Sequence, residues 1–478
     1  MVCQTVGLIV LLEAALLLPS LIVSLIYRNA CTTAFLWSIA IALLLGGAMV
    51  GIARPRTKVI YAKEGFAITS LAWLFVSLVG ALPFYLSRQI PSFINAFFET
   101  VSGFTTTGAS ILTDVTALDE GLLFWRSFTH WVGGMGVLVF LMVFLSGLSD
   151  RAIHIIRAEM PGPSVGKLLP KVKDTAKILY IIYLVMSAVQ VLCLLISKMS
   201  LFDSLIHTFG TAGTGGFGIH PDSVASLTPA QQWIICVFML LFGVNFNLYY
   251  LILIRRFRSA IRSTELWVYL GIVAVATALC CINLLGVYEN ASELIRHSFF
   301  QVSSIMTTSG FSTVDFNLWP TLSKVVLLIL MFIGGCAGST AGGFKVSRII
   351  LLFKHCAAEI RHLLHPRSVS VVRFEGKIIE SETRKGLNSY LTIYTIFFFG
   401  IFLLLSFDGF DIETTFSATV TCFNNVGPAL GAAGPMSSFA DFSDFSTVLL
   451  SFAMLLGRLE IWPIIMTFAP STWKGWRA

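Results

Sequence analysis

Ten apolar stretches, each about as long as a lipid bilayer is thick, run through this chain and leave only short polar segments between them. The hydrocarbon core of a bilayer measures ~30 Å, so a helix needs roughly 20 apolar residues to cross it. Because 56% of the 478 residues are hydrophobic and 12% are charged, the composition excludes an ordinary soluble domain. We predict an all-α polytopic membrane protein with spans at 6–27, 34–53, 65–86, 122–145, 178–199, 233–254, 266–288, 325–353, 387–407 and 445–468.

The basic residues collect in the loops that follow the even-numbered spans. Such loops lie on the cytoplasmic side of membrane proteins, so both termini are predicted to be cytoplasmic. The net charge of +7 follows from this topology, and no nucleic-acid partner is predicted. The first stretch is interpreted as a retained span, since it lacks the basic start and small-residue cleavage site of a signal peptide.

Four polar segments, which follow spans three, five, seven and nine, share a pattern centred on one glycine. These glycines are Gly108, Gly216, Gly310 and Gly427. Apolar residues stand fifteen and eleven positions before each glycine, and a spacing of four is that of a helix face. The residues fifteen positions earlier are Phe93, Leu201, Ile295 and Ile412. We predict a short helix that runs into each glycine, in a unit that the chain repeats four times.

Irregular backbone inside a membrane needs a physical reason, because an unpaired carbonyl there is costly unless it meets protein, water or ions. Four loops facing one axis provide it, since a dehydrated cation can take its oxygens from the backbone. Glycine enters left-handed backbone at little cost, which lets successive carbonyls point the same way. An alternative is that the segments are outer turns rich in Gly and Thr, which four occurrences in register disfavour. The predicted selectivity-filter residues are Thr106, Thr107, Gly108, Thr214, Gly215, Gly216, Thr308, Ser309, Gly310, Asn425, Val426 and Gly427.

The repeat divides the chain into five parts. Residues 1–64 are predicted to form two extra leading transmembrane helices, ahead of four membrane-pore-membrane repeats around a central pore. The repeats occupy 65–174, 175–264, 265–385 and 386–478. The second helix of repeat 3 is longer than a bilayer needs and carries glycines in its middle, so it is predicted to be broken there.

The motifs around the four glycines resemble those of a known family. They are TTTGAS at 105–110, GTAGTGGFG at 210–218, TTSGFSTVDF at 307–316 and NNVGPALG at 424–431, with GGCAGSTAGGFKVSR at 334–348 and GRLEIWP at 457–463. Over its whole length the chain is similar to the Trk/Ktr/HKT superfamily of potassium transporters, and within it to the bacterial TrkH type. The resemblance implies four repeats around one pore, a homodimer and a cytosolic nucleotide-binding regulatory subunit of the TrkA type. In plant relatives a serine at the first filter glycine goes with sodium transport, so Gly108 favours potassium.

A glycine cluster interrupts the eighth span. The predicted gate residues are Gly334, Gly335, Gly338, Ser339, Gly342 and Gly343. The resemblance suggests an intramembrane loop that obstructs ions until it is regulated, and the alternative is tight helix packing through small residues. A phosphate-binding loop is disfavoured, because Phe344 occupies the position of its lysine and no strand precedes it.

Arg458 lies near the middle of the tenth span, where an unpaired charge is costly and usually functional. Facing the pore, it would repel cations and form a barrier. The alternative is a structural pair with a carboxylate such as Glu460, although residues two positions apart on a helix point to different faces. Glu13, Arg126 and His130 are also placed in or near spans, and the sequence assigns them no role.

The leading functional hypothesis is potassium uptake across a bacterial inner membrane, down the electrochemical gradient, with potassium as the transported ion and no cofactor in this chain. Regulation would come from a cytosolic partner docked on the basic loops. An alternative is a symporter that couples potassium to protons or sodium, but such folds usually show inverted repeats and acidic residues at the membrane midplane. A membrane-embedded hydrolase is disfavoured because no catalytic constellation is found, so the chain is predicted not to be an enzyme.

Overall fold

A computed structural model describes residues 1–53, 62–136, 172–367, 371–379 and 381–473. Regular structure in these ranges is almost entirely helical. The helices are α1 (Val2–Leu16), α2 (Leu18–Tyr27), α3 (Thr32–Ile52), α4 (Ala62–Gly80), α5 (Leu82–Leu86), α6 (Phe93–Phe104), α7 (Glu120–Gly134), α8 (Val172–Ile196), α9 (Leu201–Gly213), α10 (Pro229–Phe242), α11 (Phe246–Leu253), α12 (Phe257–Ile261), α13 (Thr264–Asn283), α14 (Ala291–Met306), α15 (Thr321–Ile333), α16 (Val346–Leu364), α17 (Ser381–Leu405), α18 (Ile412–Phe423), α19 (Asp444–Arg458), α20 (Trp462–Phe468) and α21 (Pro470–Trp473). A short hairpin pairs β1 (Arg373–Phe374) with β2 (Lys377–Ile378) in antiparallel register.

Within the described ranges, six helical segments are long and apolar enough to cross a bilayer unbroken. They are Val2–Tyr27, Thr32–Ile52, Lys63–Leu86, Ala176–Ile196, Thr264–Asn283 and Ser381–Asp408. Several present large apolar side chains outward, such as Leu44, Ile282 and Leu403, as a lipid-facing surface requires. These segments and the helical content confirm the prediction of an all-α polytopic membrane protein.

The second helix of three repeats is broken, whereas the sequence predicted a break only in span eight. Span six bends by 88° between α10 and α11, and span ten bends by 115° between α19 and α20. The prediction of continuous helices there was wrong. Asn245 caps the start of α11 with its side chain, and Pro463 lies in the first turn of α20, where its missing N–H and its ring prevent continuation of the preceding helix.

Span eight is broken as predicted, with α15 ending at Ile333 and α16 beginning at Val346. We call residues 334–345 the intramembrane loop. In span four, α7 ends at Gly134, and the predicted part at 137–145 lies outside the described residues. The basic loop positions at 54–61 and 151–171 lie outside them as well.

Four short helices, α6, α9, α14 and α18, precede the four repeated glycines, and we call them pore helices 1 to 4. Each begins with a side-chain cap, which satisfies a backbone N–H that the helix itself leaves unpaired. The capping residues are Ser92, Ser200, Asn290 and Asp411. Pore helix 3 starts four residues before Ile295, since Asn290 provides its cap. The four C-terminal ends run directly into the glycine loops.

Candidate functional site

The four glycine loops, which we call pore loops 1 to 4, have one backbone conformation. The residue two positions before each glycine is left-handed, with φ of 56° at Thr106, 56° at Thr214, 55° at Thr308 and 56° at Asn425. The glycines also have positive φ, from 76° at Gly310 to 105° at Gly427. Left-handed backbone is unusual for a β-branched residue such as Thr and marks a constrained turn.

Each pore loop begins as the capping turn of its pore helix. The N–H of the residue before each glycine donates a hydrogen bond of 2.8–2.9 Å to the carbonyl five residues earlier. This pattern, with a left-handed residue just before it, is the Schellman ending of a helix. The pairs are Thr107 to Ser102, Gly215 to Gly210, Ser309 to Ser304 and Val426 to Thr421. Because these N–H groups point back to the helices, the loops retain carbonyl oxygens for other partners.

The pore loops meet in a closed ring. A Cβ atom added to any of the four glycines would come within 3.0 Å of the carbonyl oxygen that precedes the glycine of the next loop. The contacts run from Gly108 to Gly215, from Gly216 to Ser309, from Gly310 to Val426 and from Gly427 to Thr107. The order of these contacts is 1-2-3-4-1, which brings the four glycines and the residues just before them together in one ring. Only glycine fits at these four positions.

Two cavities with different linings adjoin this ring. One, of about 340 Å³, is lined by all four glycines and by residues that follow them, including Ser110 and Phe217. The other, of about 60 Å³, is lined by Asn425, by the intramembrane loop and by Arg458. The C-terminal ends of the pore helices carry partial negative charge, which favours a cation at the ring.

The intramembrane loop is bonded to pore loops 3 and 4. The N–H of Gly342 donates to Thr308 Oγ1 at 2.6 Å, and the N–H of Gly343 donates to the carbonyl of Asn424 at 3.0 Å. There is no space for a side chain at Gly342, because a Cβ would collide with that same carbonyl. These two of the predicted gate residues therefore lie directly against the ring.

The other predicted gate residues shape the loop. Gly338 and Ser339 line the smaller cavity, and Gly338 has φ of 71°. Gly334 packs against Gly342, and Gly335 packs against Ala341, at distances that exclude a side chain. Close packing and contact with the ring therefore occur in the same loop.

A chain of contacts connects the loop with the hairpin. Glu265 at the start of α13 accepts a hydrogen bond of 2.7 Å from the N–H of Ala337. The N–H of Glu265 and the hydroxyl of Ser263 each donate to Glu375 Oε1 at 3.1 Å, and Glu375 is at the turn of the hairpin. The hairpin thus caps the helix that holds the intramembrane loop.

Arg458 binds backbone carbonyls on two sides of the smaller cavity. Its guanidinium donates to Thr340 in the intramembrane loop at 3.1 Å, and to Gly133 and Gly134 at the end of α7 at 2.5 and 3.0 Å. A cation at a helix C-terminus is favourable, since the last carbonyls lack helical partners. Glu460, the carboxylate that the alternative offered as a partner of Arg458, follows the end of α19 and binds Arg348 at 2.5 Å.

Three buried residues beside the ring are Glu99, Arg126 and His130. Glu99 was not identified from the sequence, and the other two were assigned no role. Glu99 on pore helix 1 pairs with Arg126 on α7. His130 Nδ1 lies 2.7 Å from the carbonyl of Gly103, and its ring fills the space beside Gly215. Charged residues inside an apolar span were the available signal, but their partners are far apart in the sequence. Glu13 is also buried, with a carboxylate oxygen beside Gly80.

Comparisons with known proteins agree with this architecture. The family described as TrkH, cation transport protein, matches residues 32–474. The chain is 35% identical to the Trk system potassium uptake protein TrkH of Salmonella typhimurium and 34% identical to that of Escherichia coli, each over 99% of both chains. It also matches the crystal structure of the potassium transporter TrkH from Vibrio parahaemolyticus, with a TM-score of 0.87, 31% identity and 99% of both chains covered. Together with the four-loop ring, these likenesses establish that the chain belongs to the TrkH family of cation transport proteins and, as the sequence predicted, is not an enzyme.

Proposed function

We propose that this protein takes up potassium across the bacterial inner membrane, through a selectivity filter formed by the four pore loops. The names of its relatives support potassium as the ion. The observation that carries the proposal is the ring in which each glycine contacts the carbonyl of the next loop. Such a ring supplies backbone oxygens that replace the water shell of a dehydrated cation. The predicted filter residues would hold the ion in transit.

The intramembrane loop and Arg458 would form the gate on the inner side. In support, the loop is bonded to Thr308 and to the carbonyl of Asn424, directly against the ring. Arg458 ties the loop to α7 and adds a positive charge that opposes cation passage. Opening would require these bonds to break, so the gate has a defined closed arrangement.

A homodimer regulated by a cytosolic nucleotide-binding subunit of the TrkA type completes the proposal. The subunit would dock on the basic loops, including the described residues Arg255, Arg256 and Arg258. Both termini would be cytoplasmic, as the distribution of basic residues predicts. The hairpin would connect such a subunit with the gate, because Glu375 in the hairpin binds Glu265, and Glu265 binds Ala337 in the intramembrane loop.

The membrane potential would provide the driving force for uptake. It contributes ~2.3 kcal/mol per charge for each 100 mV, inside negative. A symporter coupled to protons or sodium is the second candidate, and the described acidic residues near the ring do not favour it. Glu99 and Glu460 are each bound to an arginine in this structure.

Rubidium uptake in a potassium-auxotrophic strain tests the filter. We expect Gly310→Ser to lower uptake and the preference for potassium over sodium, because a side chain there would collide with the carbonyl of Val426. The control is Gly409→Ser, since Gly409 has the same φ of 76° but open space around it. Equal rates and preferences in Gly310→Ser and wild type would refute the filter assignment.

A further inference from the structure

The buried ion pair of Glu99 and Arg126 lies between two of the pore loops. Glu99 is on pore helix 1 and Arg126 is on α7, and their side chains are 0% and 3% exposed. Arg126 Nε and Glu99 Oε1 are 2.5 Å apart. Removing two charges from water is costly, and replacing such a pair by apolar residues often leaves stability unchanged or higher. Stability alone is therefore a weak reason for this pair, and its contacts suggest another.

Glu99 holds the segment that leaves pore loop 1. Its carboxylate accepts hydrogen bonds from Ser110 Oγ at 3.0 Å and from the N–H of Ile111 at 2.9 Å. These residues follow Gly108 by two and three positions. The carboxylate therefore fixes the path of the chain immediately after the first glycine of the ring.

Arg126 holds the corresponding segment of pore loop 2. Its Nη1 donates to the carbonyl of Gly218 at 3.2 Å, and its guanidinium lies 3.4 Å from the centre of the Phe217 ring. Phe217 follows Gly216 directly, and the His130 ring contacts it as well, with centroids 4.1 Å apart. The guanidinium also lines the larger cavity. The ion pair thus connects the exits of pore loops 1 and 2.

Among the residues that the structure describes, a buried ion pair joins neighbouring pore loops on this side of the ring only. Nine positions before the other glycines stand His207, Gln301 and Ala418 in place of Glu99. Gln301 repeats the pattern in a weaker form, with its amide 3.5 Å from Thr313 Oγ1. Charge-assisted hydrogen bonds are stronger than neutral ones. The contact between pore loops 1 and 2 is therefore restrained by a charged residue, Glu99. The other repeats have neutral or apolar residues at the equivalent position.

We propose that Glu99 and Arg126 are positioning residues that set the preference of the ring for potassium over sodium, by fixing pore loop 1 against pore loop 2. The inference rests on the proposed filter. A carbonyl ring discriminates between ions through the spacing and number of its oxygens. Releasing one side lets Gly108 and the carbonyl of Gly215 move apart. The carbonyl oxygens then lose the spacing that favours potassium, so the ring excludes sodium, the smaller and more strongly hydrated ion, less well. The pair also neutralises the charge of Arg126 in the larger cavity.

The test measures rubidium uptake into proteoliposomes, with sodium and unlabelled potassium as competitors. We expect Glu99→Gln and Arg126→Met to reduce the selectivity for potassium over sodium at least about fivefold, or about 1 kcal/mol. Arg126→Lys keeps the charge but loses the branched donor set, and we expect an intermediate loss. The control is Lys324→Met, which breaks the exposed ion pair of Lys324 Nζ and Glu413 Oε1, 2.7 Å apart, and should leave selectivity unchanged.

If the charge variants fail to fold, Ser110→Ala tests the positioning role. It removes the hydroxyl that donates to the Glu99 carboxylate and leaves the ion pair in place. A smaller loss of selectivity in Ser110→Ala supports the proposal. Unchanged selectivity in all folded variants, with only a lower unfolding temperature, would overturn it. Gly310→Ser distinguishes a failure of the positioning role from a failure of the filter assignment. If Gly310→Ser alters selectivity and the Glu99 variants do not, only the positioning role fails, whereas no effect of Gly310→Ser refutes the filter itself.

Discussion

The backbone N–H of Gly342 donates a hydrogen bond of 2.6 Å to the hydroxyl oxygen of Thr308. Thr308 is the left-handed residue of pore loop 3, and Gly342 belongs to the intramembrane loop. The proposed gate and filter therefore share a hydrogen bond, without an intervening helix. Movement of the intramembrane loop must break this bond, so the energetics of gating include the filter itself.

Gly342→Ala should open the gate. The added Cβ would collide with the carbonyl of Asn424 and push the intramembrane loop away from pore loops 3 and 4. We expect several-fold faster rubidium uptake into proteoliposomes without a regulatory subunit. Gly271→Ala is the control, because Gly271 lies in α13 with open space around it. Slower or unchanged uptake by folded Gly342→Ala would contradict the gate assignment.

Glu265→Ala should weaken the closed state of the intramembrane loop. It leaves the N–H of Ala337 without its carboxylate acceptor, at a cost of about 1.5–3 kcal/mol for a bond to a charged group. Since 1.4 kcal/mol changes an equilibrium tenfold, we expect at least about tenfold more open protein in single-channel or flux measurements. Glu265→Gln retains an acceptor oxygen and should remain close to wild type. If the Ala and Gln variants behave alike, the hydrogen bond does not control the loop.

Replacement of Arg458 separates charge from hydrogen bonding. Arg458→Met removes both, whereas Arg458→Lys keeps the charge but cannot hold Thr340, Gly133 and Gly134 together. We expect faster rubidium flux in both variants, and faster in Met than in Lys. Wild-type flux in Arg458→Lys would show that the charge alone forms the barrier. Loss of folding in both would indicate a structural role.

The capping residue of pore helix 4, Asp411, should make the stability of the fold depend on pH in the acidic range. The hydrogen bond from Thr414 Oγ1 to Asp411, 2.5 Å long, holds the pKa of Asp411 below its ordinary value. A lowered carboxyl pKa stabilises the fold above the unfolded pKa of about 3.9, and this contribution disappears as the pH falls through the folded value.

Asp411→Asn provides the comparison, because Asn also caps helices and does not titrate. We expect the unfolding temperature of the wild type in detergent to fall relative to that of Asp411→Asn as the pH decreases below about 4. A constant difference between pH 7 and pH 3 would show that the carboxylate does not stabilise the cap in its ionised form.

The fourfold repeat could be predicted because the residues that define each unit lie close together in the sequence. Each pore helix has its apolar spacing, its cap and its glycine within about twenty residues, and three of the four helices begin at the residue fifteen positions before the glycine. The bends in spans six and ten were missed, because the high average apolar content of these segments outweighed the single signals of Asn245 and Pro463. Composition reports how long an apolar run is, whereas a bend depends on single residues.

Contacts between repeats could not be predicted from the same pattern. Arg458 binds the carbonyls of Gly133 and Gly134, which are more than three hundred positions earlier and have no side chains to signal the contact. Glu99 and Arg126 are 27 positions apart on different helices. Their pairing follows from how pore helix 1 packs on α7, which is a property of the folded chain.

Because one polypeptide supplies every wall of the proposed filter ring, each wall is encoded separately. A channel assembled from identical subunits acquires any substitution four times at once, with correspondingly large effects. Here a single codon change at Gly108 or Gly427 alters one of the four glycines, and its direct collision is with one neighbouring loop. Ion preference in such a chain can therefore diverge one wall at a time among descendants.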